Sequence, residues 1–131
     1  MSNTRNEDLK IVVVDDSDFS RNSLITILEK NGFNVVGQAS SANEAVPLLG
    51  TGANVFLVDI VMPEVSGIEL AKILTDNGKD VKIVMMSSLN MESIIIESIS
   101  NGAVDFLTKP FGEQDLVRSL EKIEIEMEKD R

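Results

Sequence analysis

Asp15, Asp16 and Asp59 are the residues of this chain best suited to chemistry. Asp15 and Asp16 directly follow the apolar run 9–14, and Asp59 directly follows the run 55–58. Carboxylates brought close together repel one another unless they share protons or take up a cation. A hard, oxygen-seeking ion such as Mg2+ answers that need, because it accepts one or two carboxylates, keeps waters and leaves room for a phosphate. Mn2+ against Mg2+ is a choice these residues leave open. Two further polar clusters follow apolar runs in the same way: Ser87-Ser88 after 81–86, and Thr108-Lys109-Pro110 after 103–107. Lys109 would add a point charge on the opposite rim of an acidic pocket.

Taken singly, each feature has a plainer reading. Asp15-Asp16-Ser17-Asp18 suits a helix cap, since Asp and Ser accept the free amides of a first turn. Asp59 alone is an ordinary loop acid, and Ser87-Ser88 and Lys109-Pro110 are ordinary turns. Four such features at four strand ends, in an order that one fold brings together, are poorly explained as independent caps.

The elements that must position these residues are legible from periodicity. Runs at 9–14, 33–39, 55–58, 81–86 and 103–107 are mostly continuous in apolar residues, which suits strands covered on both faces. Helical spacing lies between them, in Phe19, Ser23 and Ile27 with Leu24 and Leu28, then at 42–49, 68–74, 91–99 and 116–127. Fivefold alternation of strand and helix predicts a parallel α/β sheet, helices on both faces, joined by right-handed crossovers. Asn31-Gly32, Gly50 to Gly52, Asn77-Gly78 and Asn101-Gly102 follow helices, where a left-handed residue closes the last turn. The second and fifth runs contain polar residues and read as edge strands. Pro47 should shorten or bend the second helix. In such a sheet, ligands bind outside the carboxyl ends of the strands, where the winding direction reverses.

Composition narrows the function. With 131 residues the chain fits one domain, and the absence of cysteine and histidine excludes disulfides, thiolate chemistry and an intrinsic imidazole base. Twenty-two acids against twelve bases give a net charge of -10, which opposes binding to nucleic acid. The first residues, MSNTRNEDLK, are polar, and no apolar run approaches membrane-spanning length, so a cytoplasmic protein with no membrane insertion is expected. Residues 1–8 read as a flexible tail and 9–131 as the domain.

Four stretches together resemble the receiver domain of two-component response regulators, and most closely the stand-alone receivers of the chemotaxis type. They are VVVDDSDFSR at 12–21, LVDIVMPEVSG at 57–67, IVMMSS at 83–88 and DFLTKPF at 105–111. The resemblance implies a doubly wound five-stranded parallel sheet in the order 2-1-3-4-5 flanked by five helices, the flavodoxin-like fold. It also implies that Asp59 is the phosphoacceptor, taking a phosphoryl group from a phosphohistidine on a partner kinase. Asp16, Asp59 and the Val61 carbonyl would hold Mg2+, with Asp15 orienting a metal-bound water or binding alongside. Lys109 would pair with the phosphoryl oxygens and Ser87 would donate to one of them. Pro63 and Gly67 match the family's turn after the phosphoacceptor, and Lys109-Pro110 matches a bond that is cis in the family.

In receivers resembling this one, the hydroxyl moves toward the phosphate and an aromatic on the fifth strand fills the space it leaves; Ser87 and Phe106 hold those places. Phe106 reads equally as ordinary core. On a helical projection Met91, Ile94, Ile95 and Ile99 share one face of the fourth helix. Ile96 falls off it and, with Phe106 and the outer face of the fifth helix, is the expected partner surface. Val61 and Leu89 depart from the polar pattern of fast-cycling relatives and should slow loss of the phosphate. A chemotaxis-type histidine kinase, a flagellar switch component or similar target, and a phosphatase are the partners this implies, for a monomer that is a signalling protein and not an enzyme. Other readings stay open: a phosphorelay intermediate, the receiver of a larger regulator, and a Mg2+-dependent phosphatase. Val61 disfavours the last, because it stands where such enzymes carry a second aspartate.

Overall fold

The computed structural model describes residues 9–78 and 80–129. The tail expected at 1–8 lies outside them. Five strands, β1 (Lys10–Val14), β2 (Asn34–Ala39), β3 (Val55–Asp59), β4 (Lys82–Ser87) and β5 (Ala103–Thr108), form one parallel sheet in the order β2-β1-β3-β4-β5. The expected edge strands, β2 and β5, are the edges. Between the strands run α1 (Asp18–Lys30), α2 (Ala42–Ala45), α3 (Gly67–Asn77) and α4 (Glu92–Ser100), and α5 (Glu113–Lys129) closes the chain.

The central strands show why continuous apolar runs signal a sheet covered twice. Alternate residues point to opposite faces. Val12, Val14, Phe56, Val58, Ile83 and Met85 pack with residues of α2 and α3, while Ile11, Val13, Val55, Leu57, Val84 and Met86 pack with α1 and α5. Each of these side chains is 0% exposed. At roughly 1.5–3 kcal/mol for each large apolar side chain buried, the three central strands are the part of the molecule most costly to disturb.

Local signals behave largely as expected. Pro47 cuts the second helix short, and α2 passes at Ala45 into a 3-10 turn over Val46–Thr51. Gly32, Gly52 and Gly102 are left-handed, with φ of 83, 84 and 111 degrees. Gly78 is a correction: it is extended, at φ -113 degrees. Space requires the glycine there, since a Cβ would come within 2.5 Å of Val81 Cγ2.

The face assigned to α4 needs a second correction. Ile96 is exposed as expected, but so are Met91 and Ile99. Met91 is the residue before the first turn, Ile94 and Ile95 are half-buried, and the buried residue of the helix is Ser98, with Ile94 packing on the core beside it. Ser98 is fully buried because its hydroxyl donates to the Ile94 carbonyl at 2.8 Å, leaving no polar atom unpaired. The helix is therefore fastened along a narrow seam.

Among the described residues, no helix is long and apolar enough to cross a membrane.

Candidate functional site

The winding reverses between β1 and β3, and this places the aspartates together. Val14 pairs with Val58, and Asp15 and Asp59 each follow directly. Carboxylate oxygens of Asp15, Asp16 and Asp59 lie within 4.8 Å of one another. Hydrogen bonding between strands continues past the strand ends. The Asp15 amide donates to the Ala39 carbonyl at 3.0 Å, the Ile60 amide to Met86 at 3.0 Å, and the Lys109 amide to Ser87 at 2.8 Å.

The three aspartates differ in what they have free. Asp15 is fully buried and committed: Oδ1 accepts from the Ser17 amide at 2.9 Å, and Oδ2 accepts from the Ser20 hydroxyl at 2.6 Å and from Lys109 Nζ at 3.2 Å. Asp59 is nearly buried; Oδ1 accepts from the Val61 amide at 3.2 Å and Oδ2 from Lys109 Nζ at 3.3 Å. Asp16 is exposed and pairs with no described residue. This donor set fits a hard divalent ion: an exposed carboxylate with no described partner beside two buried ones that share an ammonium.

Lys109 is not on the opposite rim, as its place in sequence suggested. Its ammonium sits between Asp15 and Asp59, to which it forms ion pairs. The Lys109-Pro110 bond is cis. Burial pushes the Asp59 carboxyl above its ordinary pKa; Lys109 opposes this and the Asp15 charge adds to it. Burial acts against the Lys109 ammonium as well, yet Asp59 and Asp15 together leave its pKa raised. Two carboxylates share one ammonium, so the cation is well satisfied while Asp59 is not.

Ser87 is buried at the end of β4, its oxygen accepting from the Leu89 amide at 2.9 Å, which leaves the hydroxyl proton free to donate elsewhere. Phe106 is partly covered, sits opposite Met85 on the neighbouring strand, and packs on the same core face as Ile94 of α4. After Asp59 the chain turns tightly: Glu64 is left-handed at φ 68 degrees, with the Val65 amide donating to Pro63 at 2.8 Å. Such backbone is sparsely populated for a residue with a Cβ and collects at functional sites. Gly67 then donates its amide to the Ile60 carbonyl at 2.8 Å, and a Cβ on it would lie 2.3 Å from the Asp59 carbonyl oxygen.

Sequence reasoning missed three residues around the aspartates: Ser20, Arg21 and Gln38. Arg21 lies in a quoted motif, but no periodicity or spacing marks what its guanidinium reaches. A cleft of about 520 Å3 opens at the amino ends of β3 and β4, beside Leu49, Asn54 and Lys82. Asp15, Asp16 and Asp59 do not line it.

Compared with known proteins, residues 11–121 match the profile of the response regulator receiver domain. The chain belongs to that family. It is 34% identical over 115 residues to the chemotaxis protein CheY of Thermotoga maritima, covering 87% of this chain and 96% of that one. It is also 40% identical over 108 residues to the protein-glutamate methylesterase/protein-glutamine glutaminase of the same organism, covering 79% of this chain but 31% of that protein. Among solved structures, the CheX-CheY-BeF3-Mg+2 complex from Borrelia burgdorferi superimposes with a TM-score of 0.81 at 26% identity, over 88% of each chain. The receiver fold expected from the four motifs is thus the fold observed, and phosphorylation-based signalling is what the family does. Its acidic cluster suits Mg2+.

Proposed function

We propose that the protein is a cytoplasmic response regulator of the chemotaxis type that takes a phosphoryl group on Asp59 from a phosphohistidine of a partner kinase and then binds a target. The observation that carries the assignment of Asp59 is its position: it shares the Lys109 ammonium with Asp15, beside an uncommitted Asp16. An Asp59 oxygen attacks phosphorus, the P–N bond to the donor imidazole breaks with its electron pair leaving on nitrogen, and an acyl phosphate results. Such a transfer needs positioning and charge neutralisation more than covalent help. Asp16, Asp59 and the Val61 carbonyl would hold Mg2+, which when bound offsets the charge gathered at the carboxylates and phosphate; Mn2+ would suit the same donors. Lys109 pairs with phosphoryl oxygens, and Ser87 donates its free proton to one of them. Asp15 holds Lys109 and would orient water near the ion. The protein is a phosphoacceptor and not a turnover enzyme. Incubation with acetyl phosphate and Mg2+ tests this reading: one phosphoryl group per chain is expected by mass, and no gain would sink it.

Val61 and Leu89 flank the phosphoacceptor and are 56% and 45% exposed. Apolar side chains there neither orient nor activate a hydrolytic water. The acyl phosphate is expected to last minutes or longer without a phosphatase, as followed by release of inorganic phosphate; loss within seconds contradicts this.

Target binding is assigned to the face formed by α4, β5 and α5. Ile96 is 56% exposed there, and Val104 of β5 is exposed beside Phe106. A flagellar switch component is the target favoured by the likeness to CheY. Ile96→Asp is expected to take phosphate normally and to lose at least tenfold in target affinity by titration calorimetry, since a desolvated charge costs several kcal/mol at an apolar contact. Unchanged affinity refutes the assignment. The 40% likeness to part of a methylesterase/glutaminase supports a second reading, in which the same domain serves a larger regulator.

A further inference from the structure

We propose that Arg21 and Ser20 are positioning residues that set the affinity of the acidic site for a divalent cation, by fixing Asp15 so that Asp16 is the carboxylate presented to the ion. The inference rests on the metal-site reading given under Proposed function.

Arg21 lies on the second turn of α1, and its side chain is only 12% exposed. Its guanidinium is spread over three partners. Nη1 donates to the Asp15 backbone carbonyl at 2.7 Å, Nε donates to Gln38 Oε1 at 2.7 Å, and Nη2 pairs with Asp18. The planar fork ties the end of β1 to the end of β2 and to the start of α1. The carbonyl it grips belongs to the peptide joining Asp15 to Asp16. Holding that carbonyl holds the peptide plane, and with it the direction in which Asp16 leaves the sheet. Ser20 completes the brace from the side-chain end, donating to Asp15 Oδ2 at 2.6 Å while the Ser17 amide occupies Oδ1. Asp15 can therefore turn neither its backbone nor its carboxylate. Partners of this kind, one step removed from an ion, commonly change affinity about 10–100-fold when lost.

Charge makes the proposal separable from a merely structural or electrostatic role. Removing a cation from the neighbourhood of three carboxylates should, by Coulomb's law alone, tighten Mg2+ binding. If positioning dominates, binding must loosen instead. The test is Mg2+ titration by calorimetry on metal-free protein, with far-UV circular dichroism of each variant. Arg21→Met is expected to weaken Mg2+ by about tenfold or more. Arg21→Lys, which keeps the charge and can reach one partner but not three, recovers part of it. Ser20→Ala gives a smaller loss of a few-fold. A folded Arg21→Met that binds Mg2+ as well as or better than wild type overturns the proposal. Should Arg21→Met fail to fold, Ser20→Ala and Gln38→Ala carry the decision, and wild-type affinity in both overturns it. Asp16→Asn is the control for the underlying site. If wild type shows no saturable binding, or Asp16→Asn binds undiminished, the metal-site reading falls and this inference with it. If Asp16→Asn loses binding while the Arg21 and Ser20 variants keep it, only this inference falls.

Discussion

An Asp59→Asn variant is expected to gain no phosphoryl group from acetyl phosphate and Mg2+ under conditions that load wild type, and to be more stable than wild type when metal-free at neutral pH. The first effect follows from chemistry, because an amide oxygen is not a carboxylate nucleophile and no neighbour takes over its geometry. Asp15 is buried with both carboxylate oxygens occupied by donors, and Asp16 is exposed and lacks the Lys109 contact that Asp59 has. The second follows from electrostatics. Burial and the Asp15 charge hold the folded pKa of Asp59 above its ordinary value despite Lys109. A raised folded pKa means that the folded state binds the proton more tightly than the unfolded chain does. The associated stability is present below the ordinary carboxylate range and is lost as pH rises through the raised value. At neutral pH the ionised group is thus a liability, which asparagine removes while Lys109 keeps its pair with Asp15. Thermal melts in chelator across pH should show the variant melting higher than wild type at neutrality, with the gap closing toward acid. A variant that melts lower at neutral pH would mean the Lys109 pair outweighs burial.

The second large effect concerns a residue with no functional group. Gly67→Ala is expected to cost about 3 kcal/mol by urea denaturation, within the range for forcing atoms into a filled space. The added methyl would sit 2.3 Å from the Asp59 carbonyl oxygen and 2.7 Å from Ile60 Cα, so backbone must move and no side chain can yield. What moves is the segment that carries Asp59, so phosphoryl uptake should fall together with stability. A cost below about 1 kcal/mol would show that the turn after β3 relaxes freely.

Much of this was legible in the residues, for reasons that also mark the limits. Apolar stretches at 11–14, 55–58 and 83–86 in β1, β3 and β4 mean burial on both faces, and polar interruptions within β2 and β5 mean edges; both signals are local. The pocket was legible because it lies at strand ends, where one aspartate after each run suffices. What escaped depends on reach between segments that only the fold brings together. Arg21 meets Gln38 across 17 positions and Lys109 meets Asp15 across 94, so spacing is silent about both. Helix α4 failed for another reason. Its isoleucines exceed what its seam can bury, and a serine that satisfies its own hydroxyl took a core place that periodicity reserves for apolar residues. At Gly78, composition marked a helix end correctly but not why glycine is needed, since crowding by Val81 and a left-handed turn leave the same residue.

The amides of Asp15, Ile60 and Lys109 each extend the sheet by one more bond beyond its strands. The spacing of the reacting groups is therefore inherited from the register of the sheet and not from the loops in which they are written. Fraying at the far ends of the helices leaves that spacing intact, whereas an event that parts the central strands alters it. For this molecule, heat or denaturant should not produce a population whose sheet is intact while Asp59 and Lys109 have drifted apart. The spacing of Asp59 and Lys109 and the fold that sets it are expected to be lost in one step.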